Sequence, residues 1–321
     1  MGKANLLLTL LTLLLPSSGV FGTWVNIVVP NDAENQEGND FSYLPFYAIN
    51  WRYQQVYDAS QFSAIPLGGG YITDILFRAD CSHCSGYCRF TNMVLYLSTT
   101  ARGPDQLSAV FDENLGTNNT RVYGPGLFAF SDACAFNGGP CHSSTPLAFD
   151  TLANGFFDLD IPFFYDPAKG NLLMEVWARE PDCNNVGTIA NDAVTVAGDS
   201  VSRVSGLLDS TTAALIDTTG VVTGFTFVPV PSLTVSLTTN AVVITWPVQP
   251  KNFTLYWADK IVTNENWQLF GGQIGGNFLN HIVSLPSDSL DQARFFRLLC
   301  STCEPTSQSN ISVKTNSPIA Q

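Results

Sequence analysis

Eight cysteines are the residues of this chain with the clearest capacity for chemistry, and they are Cys81, Cys84, Cys88, Cys134, Cys141, Cys183, Cys300 and Cys303. An even number of cysteines predicts disulfide bonds in an oxidising compartment, but the sequence alone leaves their pairing open. Zinc is the alternative, because the first three cysteines have the tight spacing of a metal knuckle with His83 inside it. We favour disulfides and not zinc, since thiolate sites are uncommon where thiols are oxidised.

A second candidate site is the acidic segment 31–40, which is dense in oxygen-bearing side chains. Carboxylate and amide oxygens are the ligands that calcium prefers. Asp32, Glu34, Glu37 and Asp40 are therefore candidate calcium ligands, although their spacing is not that of an EF-hand loop. The competing interpretation, which we favour, is a solvated loop. Calcium is the one cofactor that the sequence admits, and no cofactor is predicted outright.

Catalytic signatures are missing from the sequence. It contains three histidines, and it has no G-x-S-x-G elbow, H-E-x-x-H pair or phosphate-binding loop. Asp158 and Asp160 lie on one face of a predicted strand about 7 Å apart, a separation at which paired carboxylates can cleave glycosides. We interpret them as solvated residues on the outer face of a sheet. The sequence therefore predicts no catalytic residue.

The elements that must position these residues are predicted to be short strands. In the segment 155–177, Phe157, Leu159 and Ile161 alternate with more polar residues, which is the period of a half-buried strand. Asp166–Gly170 then has turn chemistry, and a second strand follows. The same pattern recurs along most of the chain. It predicts an all-β protein, with an N-terminal jelly-roll-like β-sandwich followed by a small immunoglobulin- or fibronectin-III-like β-sandwich.

Five segments are predicted along the chain. They are a signal peptide at 1–22, a jelly-roll-like sandwich at 23–183, additional strands and a linker at 184–231, a small sandwich at 232–300, and a flexible tail at 301–321. The signal peptide is indicated by Lys3, by the leucine-rich run 6–15 and by the small residues before Thr23. We expect the mature protein to be secreted or held at the cell surface.

The charge balance narrows the class of partner. The formal net charge is −13 and the isoelectric point is about 4.4, which argues against binding to nucleic acid. After the leucine-rich run, the sequence has no apolar stretch long enough to span a bilayer. Extracellular glycans and self-association are the partners that remain.

Several segments resemble a known group of secreted proteins, and they are Arg52–Phe62, Ile72–Arg78, Leu95–Thr100 and Pro162–Leu173. Together they are similar to secreted bacterial proteins of the exosortase-sorted (PEP-CTERM-like) and verrucomicrobial type. Val242–Pro247 and Ala293–Leu298 resemble the small β module that closes many verrucomicrobial proteins. The resemblance implies an extracellular β-sandwich protein and brings no catalytic residues. The usual C-terminal anchor of that group is not seen in the polar tail.

The function expected from these features is structural or adhesive and non-enzymatic. The first alternative is a carbohydrate-binding module, because jelly rolls can present aromatic side chains to sugars. The candidates for that role are Trp24, Trp51, Tyr53, Tyr57, Phe163 and Tyr165. The second alternative is a secreted glycosidase or esterase, which requires a concave pocket with convergent polar groups.

Overall fold

A computed structural model describes residues 24–47, 49–80, 87–131, 149, 156–182, 190–260, 266–286 and 294–300. The leucine-rich segment and the tail therefore lie outside the described residues. Fourteen strands occur between residues 24 and 231 of this described part: β1 Val25–Val29, β2 Asp40–Ser42, β3 Trp51–Tyr57, β4 Gly70–Phe77, β5 Tyr87–Thr100, β6 Thr120–Ser131, β7 Phe156–Tyr165, β8 Asn171–Ala178, β9 Pro181–Asp182, β10 Asn191–Thr195, β11 Val201–Leu207, β12 Leu215–Asp217, β13 Thr219–Val221 and β14 Thr223–Val228.

Seven further strands follow in the described part of the C-terminal region: β15 Thr234–Leu237, β16 Ala241–Pro247, β17 Phe253–Ala258, β18 Gln268–Leu269, β19 Gly275–Gly276, β20 Asn280–Pro286 and β21 Phe295–Cys300. Helical structure among the described residues is limited to four short 3-10 turns: η1 Asn31–Ala33, η2 Ala59–Phe62, η3 Phe111–Asn114 and η4 Pro167–Lys169. Across these ranges, no helix has the length and apolar character required to traverse a bilayer.

The N-terminal strands form antiparallel sheets that pack face to face, and we call this body the first sandwich. One sheet has the order β1-β14-β4-β7, and the opposing sheet has the order β12-β11-β3-β8-β5-β6. A small third sheet, β13-β10-β2, extends the assembly at one end. The chain crosses repeatedly between sheets, which confirms the predicted all-β, jelly-roll-like sandwich. The strands after residue 190 belong to this body, since β14 pairs with both β1 and β4.

Aromatic side chains fill the space between the two main sheets. The rings of Tyr57 and Phe225 meet edge to face across the sandwich, with centroids 5.0 Å apart. Phe128 and Phe157 stack at 4.0 Å, and Phe46 packs against Phe128 at 4.9 Å. These rings are almost wholly buried, so each removes much of its apolar surface from water on folding. The alternation seen in the sequence of β7 reflects this packing, because Phe157, Leu159 and Phe163 are buried in the core. Asp158 and Asp160, which lie between them in the sequence, are exposed.

Polar side chains inside the first sandwich are matched to backbone groups. Gln55 is wholly buried, and its Nε2 donates to the carbonyl oxygen of Val221 at 2.9 Å while its Oε1 accepts from the Val221 N–H at 2.8 Å. The side-chain amide of Gln55 thus makes the two hydrogen bonds with the Val221 backbone that a neighbouring strand would otherwise make. Leaving a buried polar group unpaired costs free energy, so these two hydrogen bonds stabilise the interior of the sandwich.

The C-terminal strands form a smaller body, the second sandwich. Its two sheets have the orders β15-β16-β20-β19 and β18-β17-β21. The first of these matches the four-stranded A-B-E-D sheet of an immunoglobulin-like domain, as predicted. Trp246 and Leu255 lie in its core, one on each sheet.

The two sandwiches contact each other through aromatic rings. Tyr71 of β4 is fully buried, and its ring meets Phe253 of β17 at 5.3 Å and Phe164 of β7 at 5.4 Å. Nearby, the ammonium group of Lys251 pairs with the carboxylate of Asp158. Tyr71 therefore belongs by chain position to the first sandwich and by packing to the core of the second.

Most strands expected from the sequence occur within one or two residues of their predicted limits. Strand β6 continues through Gly124–Gly126, with shifts in its register against β5. Gly124 has a φ of +78°, and a Cβ there would lie 2.0 Å from the Met93 carbonyl oxygen. Glycine is therefore required at this bulge, and it does not end the strand.

Candidate functional site

The acidic segment 31–40 is held in place by a buried arginine. Arg78 directly follows β4, and 1% of its surface is exposed. Its Nη2 donates to the carbonyl oxygens of Ala33 and Gln36, both at 2.7 Å, while its Nε donates to Asp192 Oδ2 at 2.6 Å. One guanidinium thus joins the acidic segment, β4 and β10. This fork-like use of several donors is a property of arginine that lysine lacks.

Carboxylates gather around this arginine. Oxygen atoms of Glu37, Asp80 and Asp192 all lie within 4.8 Å of one another. Burial raises the pKa of Asp192 from 3.8 to about 6, and the charge of Glu37 acts in the same direction, while Arg78 and the Gly38 N–H oppose the rise. The cluster is therefore a place where negative charge is concentrated in a poorly solvated environment.

A divalent cation fits this cluster poorly. Asp192 Oδ1 accepts the Gly38 N–H at 2.8 Å, and its Oδ2 accepts from Arg78. Both oxygens of the central carboxylate thus face N–H donors, and a metal would have to compete with the guanidinium for them. The carbonyl oxygens of Ala33 and Gln36, which are hard ligands of the kind calcium takes, also face Arg78. We derive no metal role from this arrangement.

The four candidate calcium ligands are not brought together by the fold. Glu37 alone joins the carboxylate cluster. Asp40 lies in β2, where its Oδ2 accepts the hydroxyl of Thr195 at 2.7 Å and its Oδ1 accepts the Phe41 N–H. Asp32 and Glu34 are exposed near η1. The acidic composition of the segment was visible in the sequence, but the partners Asp80 and Asp192 were not anticipated.

An open groove borders the acidic segment, and we call it the Asp32 groove. Its volume is about 750 Å³. It is lined by residues from the acidic segment, from the start of η2 and from the turn between β10 and β11: Pro30, Asp32, Ala33, Gln36, Glu37, Gly38, Asn39, Asp58, Ser60, Gln61, Val194, Val196, Gly198, Asp199 and Ser200. Its charged side chains are all carboxylates, and its other polar groups are amides and hydroxyls. Such a surface can hydrogen-bond a polyhydroxylated or cationic ligand.

Asp199 is an acid of this groove whose pKa is raised. Burial raises its pKa from 3.8 to about 6, and the nearby charge of Asp105 adds to the rise. Its Oδ1 accepts the Val201 N–H at 2.9 Å, which partly offsets that effect. Its Oδ2 is shielded from solvent and accepts no hydrogen bond from a described residue. Asp199 is therefore a carboxyl group whose charge depends on pH in the mildly acidic range.

The carboxylates considered for glycoside cleavage have structural partners. Asp158 and Asp160 are exposed on β7, as expected for outward-facing residues. Asp158 pairs with Lys251 of the second sandwich, and Asp160 Oδ2 accepts the Gly124 N–H at 2.9 Å. The geometry thus assigns one aspartate to the contact between sandwiches and the other to the bulge in β6.

The cysteine and histidine clusters lie largely outside the described residues. This holds for Cys81, Cys84, Cys134, Cys141, Cys183 and Cys303, and for His83 and His142. Cys88 lies on β5 and Cys300 at the end of β21, and both are disulfide-bonded. His281 packs its ring against Trp246 at 5.0 Å, and burial lowers its pKa. His281 therefore packs against the core of the second sandwich, through its contact with Trp246.

The aromatic candidates for sugar binding are mostly core residues. Tyr53, Tyr57, Phe163 and Tyr165 are buried inside the first sandwich, and Trp51 is half-buried against it. Trp24 alone among the six is largely exposed, at 63%. These six side chains therefore do not form the coplanar exposed row that a stacking surface for sugars requires.

Comparison with known proteins adds no relative from which a function could be transferred. The chain matches no family model, no curated protein and no solved structure.

Proposed function

We propose that this chain is an extracellular, non-enzymatic β-sandwich protein with a structural or adhesive role, of the exosortase-sorted or verrucomicrobial type that its sequence resembles. The observation that carries the proposal is the use of buried charged groups. Arg78, Arg203 and Arg52 each join separate elements of the first sandwich through ion pairs. Charged groups arranged in this way stiffen a scaffold and are not left free to meet a substrate.

Two of these ion pairs join neighbouring strands. Arg203 of β11 binds Asp217 of β12 through two parallel hydrogen bonds of 2.8 and 3.0 Å. Arg52 of β3 donates to Glu175 at 2.7 Å, and its guanidinium lies 4.5 Å from the ring centroid of Phe111 in η3. Bidentate and cation–π contacts of this kind fix orientation as well as position. The disulfide bonds of Cys88 and Cys300 support the extracellular location.

A glycan ligand is the second candidate, and the Asp32 groove favours it. Its carboxylates, amides and hydroxyls are the groups that hydrogen-bond sugar hydroxyls. The groove lies between well-anchored segments, since Asn39 exchanges hydrogen bonds with the backbone of Thr195 at 3.2 and 2.8 Å. A preformed polar groove of this size suits a short segment of a polysaccharide.

The structural or adhesive role is tested by displaying the chain on the surface of an exporting host. We expect cell aggregation, or attachment to glycan-coated surfaces, to increase over cells that display an unrelated β-sandwich. The purified chain should show no turnover of a panel of chromogenic esters and glycosides. Turnover that is lost in the variant Asp199→Asn would contradict the proposal and establish the hydrolase instead.

The glycan candidate is tested separately, with a panel of soluble and insoluble polysaccharides. The double variant Asp32→Ala, Gln36→Ala removes two exposed polar side chains of the groove without changing the side chains or carbonyl oxygens that contact Arg78. We expect it to lose retention on any polysaccharide that the unaltered chain binds. The control is Asp209→Asn, an exposed acid outside the groove. Equal losses in the two variants would exclude the groove as the binding site.

A further inference from the structure

The second sandwich carries an apolar pair at the tip of a β-hairpin. Strands β19 and β20 pair at Gly276 and His281, and the four residues between them form the turn. Phe278 is 85% exposed and Leu279 is 54% exposed at the centre of this turn. Ile274, which precedes β19, is 41% exposed on the same hairpin. The most prominent point of the hairpin is therefore also its most hydrophobic.

The turn is held in one conformation by its asparagines. The Asn277 N–H donates to the Asn280 carbonyl oxygen at 2.9 Å. Asn277 Oδ1 accepts the N–H groups of Leu279 and Asn280 at 2.8 and 2.9 Å. The Leu279 carbonyl oxygen also accepts the Val248 N–H at 3.0 Å, which ties the tip to the end of β16. The exposed side chains are thus presented by a backbone that is already ordered.

The residue types at the central positions of this turn are unusual, because they are large and apolar. Central turn positions favour glycine, proline, asparagine and aspartate. Here asparagines take the outer positions, and Phe278 and Leu279 take the central ones. Neither the turn nor the core of the second sandwich requires these two side chains, since both point into solvent. An ordered, exposed apolar pair of this kind indicates a surface that is buried by a partner.

Charge distribution narrows the choice of partner. The chain carries a net charge of −13, yet residues 266–287 contain no Asp, Glu, Lys or Arg. A neutral apolar tip on an acidic protein suits a surface without net charge, since anionic lipid would repel the rest of the molecule.

A second copy of the chain meeting this tip would bury only about 150–250 Å² per phenylalanine. A stable dimer buries roughly 1,200 Å² or more in total.

We propose that the hairpin tip formed by Phe278 and Leu279 inserts into the interface of a zwitterionic phospholipid bilayer. The two side chains enter the boundary between headgroups and acyl chains, while the charged surfaces of the protein remain in water. This role goes beyond the proposed adhesive function, because it uses a different surface from the Asp32 groove. It gives the chain a means of membrane contact through its second sandwich.

The test is co-sedimentation with sucrose-loaded phosphatidylcholine vesicles. The chain is taken as secreted by an exporting host, and every variant carries the same N-terminus, verified by mass spectrometry. We expect Phe278→Asp to lower the lipid partition coefficient about tenfold or more, and Phe278→Ser to lower it by a smaller factor. Because Phe278 is so exposed, both variants should retain the circular dichroism spectrum of the unaltered chain.

A matched control separates the tip from general hydrophobicity. Leu67 is a fully exposed leucine of the first sandwich, so Leu67→Asp makes the same kind of change at a distant site. It should leave the partition coefficient within about twofold of the unaltered chain. The groove variant Asp32→Asn should also leave the lipid partition coefficient within about twofold of the unaltered chain. A change in the Asp32 groove is thus expected to affect glycan binding and not lipid binding, which tests the two proposals separately.

Four outcomes would overturn the proposal. The first is failure of the unaltered chain to sediment with phosphatidylcholine vesicles. The second is binding of Phe278→Asp at the level of the unaltered chain. The third is binding to phosphatidylglycerol vesicles alone. The fourth is a dimer in sedimentation velocity that Phe278→Asp dissociates while vesicles bind neither form, which would assign the tip to a second copy.

Discussion

Arg78 Nε donates a hydrogen bond to Asp192 Oδ2 across 2.6 Å, at a place where both side chains are shielded from solvent. The same guanidinium holds two carbonyl oxygens of the acidic segment. The pair therefore joins the segment that borders the Asp32 groove to the sheets of the first sandwich. Removing either partner would leave an uncompensated charge in a poorly solvated site.

Replacement of the buried guanidinium should be strongly destabilising. We expect Arg78→Met to lower the free energy of unfolding by about 3–5 kcal/mol, because it strands Asp192 and releases the carbonyl oxygens of Ala33 and Gln36. Urea denaturation followed by circular dichroism measures the change. The matched control is Arg102→Met, since Arg102 forms an exposed pair with Glu113 at 3.6 Å. That variant should lose no more than about 1 kcal/mol, and equal losses would show that the buried pair is not critical.

The ionisation of Asp199 should make stability depend on pH. Its pKa in the folded chain is about 6, above its ordinary value of 3.8. The folded state therefore holds this proton more tightly than the unfolded state does. The protonated Asp199 carboxyl therefore stabilises the folded state, fully below about pH 4, and this contribution is lost as the pH rises through 6. We expect Asp199→Asn to flatten the decline in unfolding free energy over this range, as measured by thermal unfolding at a series of pH values. Asp209→Asn should keep the slope of the unaltered chain, and an unchanged slope in Asp199→Asn would contradict the assignment.

Tyr71 should couple the unfolding of the two sandwiches. Its ring contacts Phe253 and Phe164 and forms part of the core of the second sandwich. We expect Tyr71→Ala to cost about 3–5 kcal/mol and to split a single calorimetric transition into two, because the cavity falls where the bodies meet. Tyr96→Ala is the control, since Tyr96 packs on Trp177 within the first sandwich at 5.2 Å. A split transition in the control, or a single one in Tyr71→Ala, would argue against coupling through Tyr71.

The strand pattern was predictable because it depends on local spacing. Alternating residues in β7 and the turn at Asp166–Gly170 identify a hairpin without knowledge of its neighbours. Strand β2 was not predicted, since three polar-flanked residues carry no periodic signal and pair only with the distant β10. The bulge at Gly124 was likewise hidden, because the close approach of the Met93 carbonyl oxygen is a property of the assembled sheet.

The candidate site was only partly predictable. The acidic character of segment 31–40 is a matter of composition, and residues of this segment line the Asp32 groove. The role of Arg78 was not visible, although a lone arginine at the end of an apolar strand is a weak signal of a buried ion pair. Its partner Asp192 lies 114 residues further along the chain, and no local pattern relates two residues at that separation.

The sequence by itself determined the all-β class, the positions of most strands and the acidic character of the chain, since these follow from residue types and short-range spacing. Only the tertiary structure decided that Arg78 holds the acidic segment, that Tyr71 is shared between two cores and that Phe278 stands at an exposed tip. Each of these is a matter of which distant surfaces meet and which remain uncovered. That outcome depends on packing across the whole molecule, because burial is a property of neighbours in space and not of neighbours in the chain.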